Sequence, residues 1–219
     1  MFPTDHVWYL PNNIDVVTCP KNGMTSFKTF YYAAYRKLEN RYMSAEHRAY
    51  NPVKGGPIHL RDKRVWDMSS FREYPFREGS ARFAVKRDPV RRFVSAVEYL
   101  QERGPLTQKR CERDYTHYKK VSDLLDDMED NKVFEVHLMS QTHFMGERCK
   151  YEHIYDIVDM VHMFRELSRR LGIRWSSQMN PRLNTMKRPD NKRITNDLSP
   201  TDIVRIKSLY QIDYENGWC

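Results

Sequence analysis

The sequence predicts an α/β fold, a three-layer α/β/α arrangement around a central parallel sheet. Three observations carry this. A short β-branched run leads through a tight turn into an amphipathic helix near the N-terminus, the same succession recurs some sixty residues later, and further apolar runs alternate with helical periodicity to the C-terminus. Strands that alternate with helices pair in parallel and are buried on both faces, and ligands of such sheets bind beyond the carboxyl ends of the strands.

The first unit opens with Ile14–Cys19 (IDVVTC), a buried strand ended by Pro20. After the turn Pro20-Lys21-Asn22-Gly23-Met24-Thr25, helical spacing begins at Ser26. Phe27, Phe30, Tyr31, Ala34 and Leu38 then share one face. Residues 44–79, rich in charge, Pro and Gly, read as surface loops. Ala81–Arg87 is the second strand, Asp88 a helix cap, and Pro89 suits the first helical position, where its missing N–H costs nothing. That helix places Val90, Phe93, Val94, Val97 and Leu100 inward and is expected to end near Arg103, ahead of Gly104-Pro105. Val133–His137 and Ile154–Val158 read as strands. A helix over 160–171 buries Val161, Phe164, Leu167 and Leu171 and stops at Gly172. Residues 175–196 are polar and basic. A final helix starts at Ser199-Pro200-Thr201-Asp202 and buries Ile203, Ile206 and Tyr210.

Composition narrows the classes of function. A chain of 219 residues can bury one substantial core, so a single domain over 1–219 is expected. With 14 Tyr and 10 Phe, wholesale disorder is excluded. The net charge of +8 favours an anionic partner, and nucleic acid, a phosphorylated nucleotide or an acidic glycan would each satisfy it. No stretch reaches the roughly 20 apolar residues of a membrane span. The first ten residues lack the pattern of a signal peptide, and the four cysteines are too few and irregular for a disulfide scaffold. A cytoplasmic protein with reduced thiols and no membrane partner is the expectation.

Two turns carry chemistry. In the first, backbone N–H groups at a helix start form an anion site, Gly23 permits close approach, Thr25 and Ser26 add hydroxyls, and Lys21 adds a mobile charge. The nucleoside-triphosphate loop GxxxxGK[ST] needs its Lys after the second Gly, whereas here Lys precedes the only Gly. That order argues against a magnesium-dependent kinase. In the second turn, Arg87 leaves the strand end, while Arg91, Ser95 and Glu98 share the helix face opposite the apolar stripe. An Arg fork beside a hydroxyl suits a terminal phosphate.

CPKNGMTSF resembles the 5′-phosphosulfate loop of sulfotransferases that use 3′-phosphoadenosine-5′-phosphosulfate (PAPS). FAVKRDPVRRFVSAVEYL resembles the 3′-phosphate motif of the same enzymes, in particular the carbohydrate (Golgi-type) branch, with Arg87, Asp88, Pro89 and Ser95 in place and Arg92 at a further basic position. FEVHLMSQTHF resembles that family's His-x-x-Pro-Gln segment, with Ser140 where Pro is usual. Leu183–Trp218 resembles its C-terminal section, in which a basic loop, here Asn184, Thr185, Lys187 and Arg188, closes over the cofactor. The resemblance covers about half the chain and leaves 44–79, where acceptor specificity would lie, unmatched.

The resemblance implies in-line sulfuryl transfer from PAPS to an acceptor hydroxyl, with a carbohydrate the leading choice and a tyrosine, lipid or small-molecule hydroxyl left open, leaving 3′-phosphoadenosine-5′-phosphate (PAP) and needing no metal. Donor contacts would come from Lys21, Asn22, Gly23, Met24, Thr25, Ser26, Arg87, Arg92, Ser95 and the C-terminal basic loop. Lys21 would stabilise charge on the leaving oxygen. The acceptor needs a general base. His137 is the first candidate, His59 the second and Glu73 a distant third. His137, His143, Cys149 and His153 match no zinc spacing. Two alternatives remain open: a nucleotide-dependent phosphotransferase, and a non-catalytic nucleic-acid-binding protein, the latter without a recognisable motif.

Overall fold

The computed structural model describes residues 7–38, 76–107, 115–130, 133, 135–176, 179 and 198–219. The chain forms two compact units. One comprises residues 1–19, 23–85 and 151–185, the other 20–22, 86–150 and 186–219.

The first unit holds a four-stranded sheet in the order β1 (Val7–Leu10), β2 (Ile14–Val17), β3 (Ala81–Lys86) and β4 (His153–Asp156). β2 and β3 are parallel neighbours, with Ile14 opposite Ala81 and Val17 opposite Ala84. β1 corrects the wholly parallel expectation: it pairs antiparallel with β2, Val7 opposite Val17. The two strands are joined by a tight turn in which Asn12 and Asn13 take positive φ (60° and 56°), a conformation Asn tolerates. Arg77 secures that corner. Its backbone N–H and Nε donate to the buried Asp15 carboxylate at 2.8 and 2.7 Å, and its Nη2 donates to the carbonyls of Leu10 and Ile14.

β2 leads to α1 (Met24–Leu38), which begins two residues before the expected Ser26. Phe27, Phe30, Tyr31 and Ala34 are buried as the spacing predicts. Phe30 stacks on Phe164 of α5 (Met160–Arg170) at 4.7 Å between ring centres, so the two helices close one core with Val16 and Phe83 of the sheet. Burying each of these rings contributes about 1.5–3 kcal/mol. Gly172, at φ 66°, ends α5 as expected. β4 is shorter than expected because the Asp156 side chain accepts from Val158 N at 3.1 Å, which turns residues 157–159 into a 3₁₀ turn.

The second unit has its own core, built from α2 (Pro89–Thr107), α3 (Val121–Glu129) and α6 (Pro200–Leu209). Asp88 caps α2, its Oδ1 accepting from Arg91 N at 2.8 Å. α2 runs through Gly104-Pro105 to Thr107 instead of ending at Arg103; so near a helix end the single bond that proline removes is tolerated. α3 had no counterpart in the sequence reading. Ser199 and Asp202 form a reciprocal capping box at α6, whose Ile206 is buried together with the following Tyr210, while Ile203 is half-buried. α4 (Gln141–Met145) and α7 (Gln211–Glu215) complete the unit.

Among the described residues of the expected strand Val133–His137 none lies in a strand. Residues 136–138 form a 3₁₀ turn instead. The Glu135 carboxylate accepts from His137 N at 3.3 Å and the Glu135 carbonyl from Leu138 N at 2.9 Å, so local capping takes donors that a strand ladder would need. Among the described residues no helix is long and apolar enough to cross a membrane.

Candidate functional site

After each of the parallel neighbours β2 and β3 the chain continues into residues of the second unit, and within that unit these residues meet. After β2 comes the turn Pro20–Gly23. Lys21 adopts φ 69°, left-handed backbone that costs a residue with a Cβ about 1–2 kcal/mol. Such a conformation persists only where neighbours over-determine it. Here Arg87, the first residue after β3, donates from Nη1 to the Lys21 carbonyl at 2.9 Å, and Arg92 donates from Nε to the Pro20 carbonyl at 3.1 Å. Asn22 is wholly buried and donates from Nδ2 to Gln141 Oε1.

Gln141 is the hub of this arrangement. It is fully buried, accepts from Arg87 N at 3.0 Å, and donates from Nε2 to the carbonyls of Arg87 (2.8 Å) and Trp218 (3.2 Å). Its own backbone N–H and that of Thr142 are taken by the buried Asp213 carboxylate at 2.9 and 2.7 Å. One amide thus ties the Lys21 turn, the end of β3 and the C-terminal segment together.

Arg92 occupies a different place from the one expected of a phosphate contact. It is 0% exposed in the second core, bracing the Pro20 carbonyl and, over a long 3.4 Å, that of His137. Its Nη1 has no hydrogen-bond partner among the described residues. Neutral carbonyls do not cancel a guanidinium charge, so this side chain sets a buried positive charge against the Lys21 turn. α1 carries no acidic residue in its first turn, so its start keeps its affinity for anions, whereas the start of α2 is already capped by the Asp88 carboxylate.

Lys21 extends its ammonium over the Tyr99 ring, 4.2 Å from the ring centre. On Tyr99 also rests His137, its ring centre 4.7 Å away. The imidazole Nδ1 lies 2.7 Å from Glu135 Oε1, with the His137 side chain 23% exposed and that of Glu135 7%. Tyr210 holds the same turn by donating its hydroxyl to the Leu138 carbonyl, and burial pushes that phenol up to about 12, so it stays neutral.

The second unit therefore brings Lys21, Asn22, Arg87, Arg92 and His137 together. Asn22 and Arg92 are buried braces there, and Ser95 is half-buried on α2. Gly23, Met24, Thr25 and Ser26 belong to the first unit, at the start of α1. The space a Gly23 side chain would take is filled by the Met160 thioether, so Gly23 serves packing as well as its positive φ of 75°. His59, Glu73, Asn184, Thr185, Lys187 and Arg188 lie outside the described residues. Sequence reasoning missed Tyr99, Glu135 and Asp213 and assigned Gln141 no role. Glu135 stands two residues before His137, a pairing visible in the sequence, whereas Tyr99 and Asp213 carry no local signal.

The family model described as the sulfotransferase family matches residues 11–216, a span that runs through both units. No curated protein and no solved structure matches the chain significantly. With a basic turn after β2, an arginine after its parallel neighbour and a match over nearly the whole length, the chain belongs to the sulfotransferase family.

Proposed function

We propose that the protein transfers a sulfuryl group from PAPS to an acceptor hydroxyl on a carbohydrate by in-line displacement, with residues 1–219 acting as one sulfotransferase domain of three-layer α/β/α type. The observation that carries the reading is the bond from Arg87 Nη1 to the Lys21 carbonyl: the residues following two adjacent parallel strands, each suited to a different phosphate of one nucleotide, are in contact. The positive backbone angles at Lys21 and Gly23, and the buried Arg92 guanidinium braced on the Pro20 carbonyl, fit an anionic donor. PAPS supplies the sulfuryl group and a phosphate leaving group. In this reading Lys21, with the Gly23–Ser26 backbone and the Ser26 hydroxyl, binds the 5′ end. Arg87 and Ser95 bind the 3′-phosphate, and Asn184, Thr185, Lys187 and Arg188 close over the nucleotide.

Lys21 sits on a flexible stem and neutralises charge that grows on the leaving oxygen, the role in which a positioned cation acts on the transition state most strongly. His137 takes the acceptor proton at Nε2, and His59 is the second choice for that role. No metal is invoked, because the leaving group is less charged than that of a nucleoside triphosphate.

The test is a melting experiment with PAP, ATP with magnesium, and a DNA oligomer. A ligand at 100 times its Kd adds about 2.7 kcal/mol, a rise of about 5–10 °C for a chain of this size. PAP is expected to give that rise, and Arg87→Ala or Ser95→Ala to diminish it. A response to ATP with magnesium or to DNA, with none to PAP, would overturn the reading. Transfer of labelled sulfate from PAPS to a panel of glycans then identifies the acceptor.

A further inference from the structure

We propose that Glu135 is a positioning residue that holds the His137 imidazole in the tautomer and orientation a general base requires. This rests on the reading of His137 given above and names the group behind it. Glu135 lies in the sequence as an ordinary acidic residue, yet its side chain is only 7% exposed and places Oε1 2.7 Å from His137 Nδ1. An ionised carboxylate only accepts hydrogen bonds, so Nδ1 carries the proton and Nε2 keeps its lone pair. Among the described residues Nε2 makes no hydrogen bond, and the side chain is 23% exposed, so that lone pair is available to an acceptor hydroxyl.

The rest of the turn supports a fixed imidazole rather than a chance contact. The ring lies against Tyr99, the ring that also carries the Lys21 ammonium. The backbone of the turn is held by Glu135 itself, by Tyr210 and by Arg92. A base must reach the proton it takes within about 2.6–3.2 Å. An imidazole free to rotate or to exchange tautomers spends much of its time unable to do so. The step is a proton transfer coupled to displacement: the acceptor O–H bond breaks and its proton moves to Nε2, the oxygen electron pair forms the new bond to sulfur, and the bond from sulfur to the 5′-phosphate oxygen of PAPS breaks, its electron pair leaving with PAP. Glu135 stays ionised throughout and offsets the imidazolium charge that results.

Glu135 also caps the 3₁₀ turn through His137 N, so the test must separate positioning from folding. His137 N and Nδ1 face the same oxygen, Oε1, so Glu135→Gln with its amide oxygen there keeps the cap and the Nδ1–H bond and removes only the charge, whereas Glu135→Ala removes all three. Nitrogen-15 spectra of the full chain with labelled histidine, assigned by His137→Gln, are expected to show the Nδ1–H form in the wild type and in Glu135→Gln and a mixture in Glu135→Ala. Label transfer from PAPS to desulfated heparin and chondroitin is expected to lose about 10- to 100-fold in kcat in both variants, with KM for PAPS and the melting response to PAP unchanged. A wild-type His137 in the Nε2–H form overturns the proposal, as does full kcat in both variants. Full turnover in His137→Gln overturns it together with the choice of base. If the wild type transfers no label at all, the functional reading fails, and the spectra decide by themselves whether Glu135 sets the imidazole.

Discussion

Replacing Gln141 with alanine removes one side chain and strands four partners. Asn22 Nδ2 and Arg87 N lose their acceptor, and the carbonyls of Arg87 and Trp218 lose their donor. All four face a position that is 0% exposed. A buried polar group without a partner costs about 1–3 kcal/mol, and water entering the vacated space recovers part of this, which leaves about 3–5 kcal/mol for the substitution. For a chain of this size that is a fall of about 6–20 °C in melting temperature. Because the same amide holds the Lys21 turn to the start of α2, the PAP response of the variant, measured while it is still folded, is expected to shrink as well. Gln141→Glu separates the donor from the acceptor half. It keeps oxygen toward Asn22 and Arg87 N but sets oxygen against the carbonyls of Arg87 and Trp218, so it is expected to be at least as damaging as alanine. A fall below about 2 °C with an intact PAP response would refute the assignment of Gln141 as the hub.

Three further outcomes follow from particular residues. Lys21→Gly removes the ammonium while suiting the φ of 69°; relief of backbone strain and the added freedom of the unfolded chain nearly cancel and the contact with Tyr99 is lost, so the melting temperature is expected to fall by about 1–4 °C while turnover with PAPS falls by about 10²–10³. Full turnover would remove Lys21 from the mechanism. Gly23→Ala meets a φ of 75° and displaces the flexible end of Met160, and is expected to lose about 1–2 kcal/mol in denaturant unfolding, mostly backbone strain; a neutral result would show that the turn changes its backbone freely. Glu166, bonded by Arg169 and Arg170, is held down at about 2, so its contribution is complete above the unfolded value of about 4.5 and fades as pH falls through about 2. Since Arg169 is largely exposed, that contribution is under about 1 kcal/mol. Glu166→Gln is therefore expected to melt slightly below the wild type at pH 7 and level with it near pH 2, and a gap that widened toward acid would contradict the pairing.

Short-range chemistry was legible where it decides structure locally. The apolar face of α1, the Asp88 and Ser199 caps, and the Gly172 stop all depend on residues within one or two turns of each other, and each appears where its spacing put it. The two strand-to-helix turns belong to the same class, since the strands and the capping chemistry around them are contiguous in sequence. Val133–His137 failed for the same kind of reason turned around: an apolar run satisfied the strand pattern, but Glu135 captured the backbone donors first, His137 N with its carboxylate and Leu138 N with its carbonyl.

What the chain determined by itself was which segments would carry charge and where they would sit on strands and helices. Only the tertiary structure decided that Arg92 turns inward while Arg87 reaches the Lys21 carbonyl, that Gln141 joins them, and that Glu135 and Tyr99 flank His137. Residue type and spacing limit which face of a helix a guanidinium occupies. Whether it becomes a buried brace or a surface contact depends on which carbonyls the rest of the fold leaves in need of a donor, and those carbonyls come from segments far apart in sequence.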